Sequence, residues 1–241
     1  MSAPLADAER ELLLERAGRL EPLVRERLAA VRQRIAAAGG DPGAVEVVAV
    51  TKGFGPEAAV AALGAGLTEI GENYAASLLE KAPVLEALGL EAHWHFLGRI
   101  QRNKVGRLAP VVSCFETVSR EAEARAIAAR APRPPTAFIE VNVAGDPERP
   151  GCRPEEVPAL AEAVRATGLA LRGLMAVAPN PSSPATAEAA FSAVARLADE
   201  LGLRERSMGM TGDLEAAVRA GTTMVRVGTA LFGPRDPHTA R

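Results

Sequence analysis

Several residue types are scarce in this sequence. Among 241 residues there are two cysteines, one tryptophan and one tyrosine, and aromatic residues make up 3% in all. Cys114 and Cys152 cannot form a disulfide framework, and their spacing matches no metal-ligand motif. So few aromatics argue against a base-stacking platform for single-stranded nucleic acid. A net charge of −2 leaves no global basic field to attract nucleic acid or anionic lipid. No apolar run approaches the roughly 20 residues of a membrane span. The first thirty residues mix Asp7, Glu9, Glu11 and Glu15 with arginines, unlike a signal or transit peptide, so a reducing cytoplasm is the expected compartment. Lysine is scarce as well. It occurs only at Lys52, Lys81 and Lys104, the rest of the positive charge being arginine, so each lysine invites a reason.

What is present is globular material, 48% hydrophobic and 24% charged. Leu20, Val24, Leu28, Val31 and Ile35 recur at steps of three and four, which predicts a helix over 8–38, ended by Gly39-Gly40-Asp41-Pro42. Short β-branched runs then appear at 45–51, 68–71, 93–98, 112–117, 137–143, 171–177, 206–210 and 224–228. Helical segments at 56–63, 120–131, 155–166 and 185–201 separate several of them. Alternation of this kind implies parallel βαβ units, because parallel strands need a crossover. Eight strands in one domain-sized chain predict an α/β fold, a single (β/α)8 TIM-type barrel over residues 1–241. An open doubly wound sheet is the runner-up. Residues 1–40 form an extra helix packed on the barrel, and 234–241 a frayed tail.

Such barrels carry their chemistry on the loops after the strands. The first strand ends Val50-Thr51-Lys52-Gly53. A lysine closing a buried run is desolvated toward its neutral amine, the form that Schiff-base chemistry needs. The seventh runs Met208-Gly209-Met210-Thr211-Gly212-Asp213 into a helix beginning near Asp213, and the eighth runs Arg226-Val227-Gly228-Thr229. Loops after strands seven and eight are the recurrent phosphate site of this fold. An amine facing a phosphate cradle suggests pyridoxal 5′-phosphate, its aldehyde on Lys52 and its phosphate by Thr211, Gly228 and Thr229. Arg226 shares a strand face with Gly228 and approaches the pyridine nitrogen.

Ala49-Val50-Thr51-Lys52, Gly71-Glu72-Asn73-Tyr74 and the segments 94–104, 207–213 and 224–233 together resemble the pyridoxal phosphate homeostasis proteins. These barrels are similar to the N-terminal domain of alanine racemase. The resemblance spans nearly the whole chain. It implies an internal aldimine on Lys52, Arg226 at the pyridine nitrogen, and the phosphate on Thr211, Gly228 and Thr229, with Asn73 and Met210 lining the cofactor. The sequence departs from the family's pattern where Thr51 and Thr211 replace serine, keeping the hydroxyl, and where Gly53-Phe54-Gly55-Pro56 follows the lysine.

Other candidates carry less. His93 and His95 share a strand face, but His238 is the only other histidine and no carboxylate cluster is evident beside them, so no metal site is expected. Glu72, at a strand end, is expected to pair with an arginine, Trp94 to pack against a helix, and 101–104 to start a helix. The loop 145–153 borders the mouth.

An arginine at the pyridine nitrogen stays charged and accepts no proton, which weakens the ring as an electron sink. Racemisation needs an acid/base on each face, and the sequence offers one tyrosine and no second domain after strand eight. The expected role is to bind, buffer or transfer pyridoxal phosphate in intracellular vitamin B6 homeostasis, with no catalytic residues assigned. Apo-enzymes that use the cofactor are possible recipients, and a monomer or weak dimer is expected. The alternatives are an amino-acid racemase and a cofactor-free Schiff-base aldolase.

Overall fold

The structure, a computed structural model, describes residues 6–179 and 183–234. The element order is α1 (Asp7–Ala37), β1 (Glu46–Val50), α2 (Pro56–Gly64), β2 (Glu69–Glu72), α3 (Ala75–Ala87), β3 (His93–Phe96), α4 (Arg102–Leu108), β4 (Cys114–Val118), α5 (Glu121–Ala128), β5 (Thr136–Val141), α6 (Val157–Ala166), β6 (Ala170–Ala176), α7 (Pro184–Glu200), β7 (Glu205–Met208), α8 (Leu214–Arg219), β8 (Met224–Val227) and α9 (Thr229–Phe232). The strands close in sequence order, β1 pairing with both β2 and β8, and every pairing is parallel. The expected eight-stranded barrel forms, and the open sheet does not.

Alternation along each strand divides the core in two. Outward side chains such as Ile70, Trp94, Phe115 and Ile139 join the helices in one continuous apolar shell. Val48, Cys114, Phe138, Met175 and Met224 point inward and form a smaller plug. Trp94 is buried in that outer shell, as its alternation with His93 and His95 predicts. Helix α1 lays Val24, Leu28, Val31 and Ile35 against the barrel, where each is at most 4% exposed. Its neighbours there include α2, α8 and α9. Ser183 caps α7 by accepting a hydrogen bond from the Thr186 amide at 3.1 Å. Two helices lie where no helical periodicity was evident. Helix α3 carries an interior proline, Pro83, and α9 is a single turn. The tail residues 235–241, His238 among them, lie outside the described residues.

Candidate functional site

Lys52 follows β1, Asn73 follows β2, Met210 and Thr211 follow β7, Arg226 lies in β8, and Gly228 and Thr229 follow it. All seven line one cavity of about 360 Å³ at the carboxyl ends of the strands, together with Val50, Leu97, Met175 and Val177. The order of the strands causes this convergence: β7, β8, β1 and β2 are consecutive around the ring. Phe54, given no role by the sequence, also borders the cavity and packs its ring 5.3 Å from that of Phe232. From the loop 145–153, Pro150 reaches the cavity wall. Asn142 holds that loop by donating its side-chain amide to the carbonyls of Asp146 and Arg149, at 2.7 and 3.3 Å.

The loops after β7 and β8 are knitted together. The Ala230 amide donates to Thr211 Oγ1 at 3.3 Å. A Cβ added at Gly228 would stand 3.1 Å from the Val50 carbonyl oxygen, so glycine keeps the backbone close to β1 with space in front of it. Both loops are also held from α1. Arg34 donates to the Thr211 carbonyl at 2.9 Å while pairing with Glu215, and Arg27 donates to the Leu231 carbonyl at 3.1 Å.

Arg226 is 5% exposed and firmly placed. One terminal nitrogen donates to the Ser207 carbonyl at 2.6 Å and to Ser207 Oγ at 2.7 Å, and the other to the Ala176 carbonyl at 2.9 Å. Ser207 Oγ in turn donates to Glu116 at 2.6 Å. Glu116 meets His95 Nδ1 at 2.5 Å, and His95 Nε2 meets Glu69 at 2.8 Å. A polar thread therefore runs down the barrel interior from the cavity to the opposite end. Burial works to discharge the His95 ring, yet the Cys114 sulfur and the carboxylates of Glu116 and Glu69 outweigh it, raising its pKa well above the usual value. For Glu69, burial opposes the charged form, but hydrogen bonds from His95 and His93 hold its pKa down to about 2.

One expectation about these histidines needs correction. Carboxylates do accompany them: Glu69 contacts both His93 and His95, and Glu116 contacts His95. Spacing could not reveal this, because the partners lie on neighbouring strands. His95 is not among the residues lining the cavity and reaches it only through Glu116 and Ser207. His95, Cys114 and Glu116 also bring possible ligand atoms within 4.8 Å of one another. No sequence motif showed that grouping. The ring and the carboxylate in it are already hydrogen-bonded to each other and, at their remaining atoms, to Glu69 and Ser207.

A second polar cluster supports the loops of β1 and β2. Glu72 pairs with Lys81, not with an arginine. The Lys81 ammonium, on α3, donates to Glu72 at 2.6 Å, to the Thr51 carbonyl at 2.8 Å and to Thr51 Oγ1 at 3.2 Å. The other Glu72 oxygen accepts from the amides of Asn73 and Tyr74, while Ser77 donates to the oxygen that Lys81 holds. Thus the residue before Lys52 and the residue after β2 hang from one buried ion pair. Lys104, the third lysine, lines a groove of about 1030 Å³ beside the cavity, with Arg99, Gln101 and Tyr74, and the groove adjoins the cavity at Lys52, Phe54 and Asn73. Arg102–Leu108 is the helix expected to start there.

One ionisable cavity residue escaped the sequence reading. Glu140, in β5, is 7% exposed and lines the cavity. Burial pushes its pKa up to about 7. The run 137–143 marks a strand, and alternation within it places Glu140 on the same inward face as Phe138.

The family model described as the alanine racemase N-terminal domain matches residues 24–236. The chain is 43% identical over 215 residues to a pyridoxal phosphate homeostasis protein of Pseudomonas aeruginosa, covering 86% of this chain and 92% of that one. Its similarity to the protein of that name from Deinococcus radiodurans is 40% over 209 residues, covering 85% of this chain and 97% of the relative. Among solved structures, PipY of Synechococcus elongatus with pyridoxal phosphate bound superposes with a TM-score of 0.74 at 31% identity, over 87% of this chain and all (100%) of that one.

Proposed function

Since the chain belongs to the alanine racemase N-terminal domain family, among the pyridoxal phosphate homeostasis proteins, we propose that it binds, buffers and hands over pyridoxal 5′-phosphate in vitamin B6 homeostasis. The observation that carries this reading is the convergence of one amine, one buried guanidinium and two hydroxyl-bearing loops on a single cavity. Its volume, about 360 Å³, lies within the range of small-molecule sites. When bound, pyridoxal phosphate supplies an aldehyde that condenses reversibly with a primary amine and a pyridine ring that withdraws electrons.

The chain's own residues fit that group. Lys52 presents the amine at the end of β1, where the Lys81–Glu72 pair fixes the preceding residue. Thr211 and Thr229, with the open backbone at Gly228, form a cradle for the phosphate. Asn73 and Met210 close the sides. Arg226 supplies a permanent charge toward the ring nitrogen and cannot take its proton. It is held by two backbone carbonyls and Ser207. With the cofactor bound, that arrangement would leave the ring nitrogen unprotonated, which suits storage over carbanion chemistry. The one tyrosine, Tyr74, is 54% exposed and lines the neighbouring groove, not the cavity.

Apo-enzymes that need the cofactor are the proposed recipients, and a monomer or weak dimer in the cytoplasm the proposed state. Among the described residues no helix is long and apolar enough to cross a membrane. Borohydride reduction of the loaded protein followed by peptide mapping tests the attachment point. The expected result is one label, on Lys52, and its loss together with the yellow colour in Lys52→Ala. Undiminished labelling of that variant overturns the assignment. Steady conversion of single L-amino acids to D-forms, followed by chiral chromatography, would instead establish the racemase.

A further inference from the structure

Glu140 differs from the buried glutamates Glu116 and Glu72 in having no hydrogen-bond partner on its carboxyl. Its side chain is inward, the residue is 7% exposed, and it borders the cavity that holds Lys52, Thr211 and Arg226. Among the described residues, nothing hydrogen-bonds its carboxyl. By contrast Glu116, equally inward on the next strand, accepts from Ser207 and meets His95, while Glu72 has four donors. A buried carboxyl without a partner costs free energy unless something fills its hydrogen-bonding capacity. The space in front of this one is the cavity.

Resting on the reading that pyridoxal phosphate occupies this cavity, we propose that Glu140 is an affinity-setting contact for the phosphorylated vitamer, gripping it as an uncharged acid and repelling it as a carboxylate. The groups around it set the balance. Arg226 from β8 favours the anion, as does Arg149 from the loop after β5, whereas Glu116 on β4 and Glu123 on α5 oppose it. Cys152, whose amide donates to the Glu140 carbonyl at 2.9 Å, is itself held as a thiol by burial, its pKa pushed up to about 12. Lys52 lines the same cavity across from β5. Arg226 is the largest compensation, but its terminal nitrogens already serve Ser207 and Ala176. Desolvation dominates, so the proton stays on Glu140 until about pH 7. A neutral carboxyl donates one hydrogen bond to an acceptor oxygen or nitrogen. Its carboxylate would instead face an anionic ligand across a poorly solvated gap, where like charges repel strongly.

The arithmetic follows from linkage. If the ligand is gripped by the protonated form, that form falls from about ten-elevenths of the protein at pH 6 to about one-eleventh at pH 8. Affinity for pyridoxal 5′-phosphate therefore drops by about tenfold over that interval through Glu140 alone. Lys52 and the ligand's own phosphate titrate too, so the comparison must be with a variant in which only Glu140 is silenced.

The test is equilibrium dialysis of the full chain against pyridoxal 5′-phosphate at pH 6, 7 and 8, for wild type, Glu140→Gln and Glu140→Leu. Glutamine keeps the size and a hydrogen-bond donor but never ionises. Its affinity is expected to match wild type at pH 6 and to exceed it by about tenfold at pH 8. Leucine, with neither donor nor charge, is expected to bind more weakly than glutamine at every pH, with the same flattened profile. A wild-type pH profile in both variants overturns the role of Glu140 while leaving the cofactor reading intact. Should wild type capture no vitamer at any pH, the cofactor reading itself falls, and this one with it.

Discussion

Replacing Lys81 by methionine tests how the opening loops of the cavity are held. Lys81 and Glu72 are a fully enclosed pair, with side chains 3% and 0% exposed. Methionine matches the length of the lysine stem and packs well, so little is lost by volume. What is lost is the donor to three acceptors: Glu72, the Thr51 carbonyl and Thr51 Oγ1. Breaking a buried pair from one side leaves a charge stranded and costs about 3–5 kcal/mol. Glu72 keeps the amides of Asn73 and Tyr74 and the hydroxyl of Ser77, which favours the lower end of that range. For a chain of this length each kcal/mol moves Tm by about 2–4 °C, so a fall of about 6–12 °C is expected. Urea unfolding with an unchanged m value reads the loss directly. In a double-mutant cycle, adding Glu72→Gln removes the stranded charge and should recover part of the stability. A cost below about 1 kcal/mol, the value of an exposed pair, would refute the reasoning. So would strict additivity of the two substitutions.

Acid lability is the second prediction. The Glu69 pKa is depressed to about 2 in the folded protein from an ordinary value of 4.5, its histidine hydrogen bonds overcoming burial, so its contribution is full above 4.5 and is lost as pH falls toward 2. The urea midpoint of wild type should exceed that of Glu69→Gln at pH 5, and the two should converge by pH 2; a constant gap contradicts this. His95, whose pKa is raised, has the opposite sign: its contribution is complete below its ordinary value of 6.5 and fades as pH rises through the folded one. The third prediction is steric. A Cβ at Gly98 would lie 1.8 Å from the Asn73 carbonyl oxygen, so Gly98→Ala should shift the Asn73 loop and weaken retention of pyridoxal phosphate by about tenfold, and unchanged dialysis data would reject that.

The barrel was legible because eight β-branched runs, interleaved with helical periodicity, leave few topologies open. The cavity residues were legible for a related reason: Lys52, Thr211, Gly228 and Thr229 each follow a strand, and the ring order brings those ends together. The polar interior was not. Glu116 and Ser207 are 91 positions apart, and only closure of the barrel makes them partners. Glu140 sits in a run that marks a strand, and which of its two faces turns inward depends on a register that composition does not carry. Lys81 stands out in the sequence only by the scarcity of lysine, and the carboxylate that draws it inward belongs to another element.

The anchoring of the loop after β7 by Arg34, and of the α9 turn after β8 by Arg27, gives α1 a reach beyond packing. These arginines project from a helix that stands outside the alternating strand–helix ring, so the seat proposed for the anion is fastened to an outrigger. Whatever loosens that outrigger slackens both moorings together.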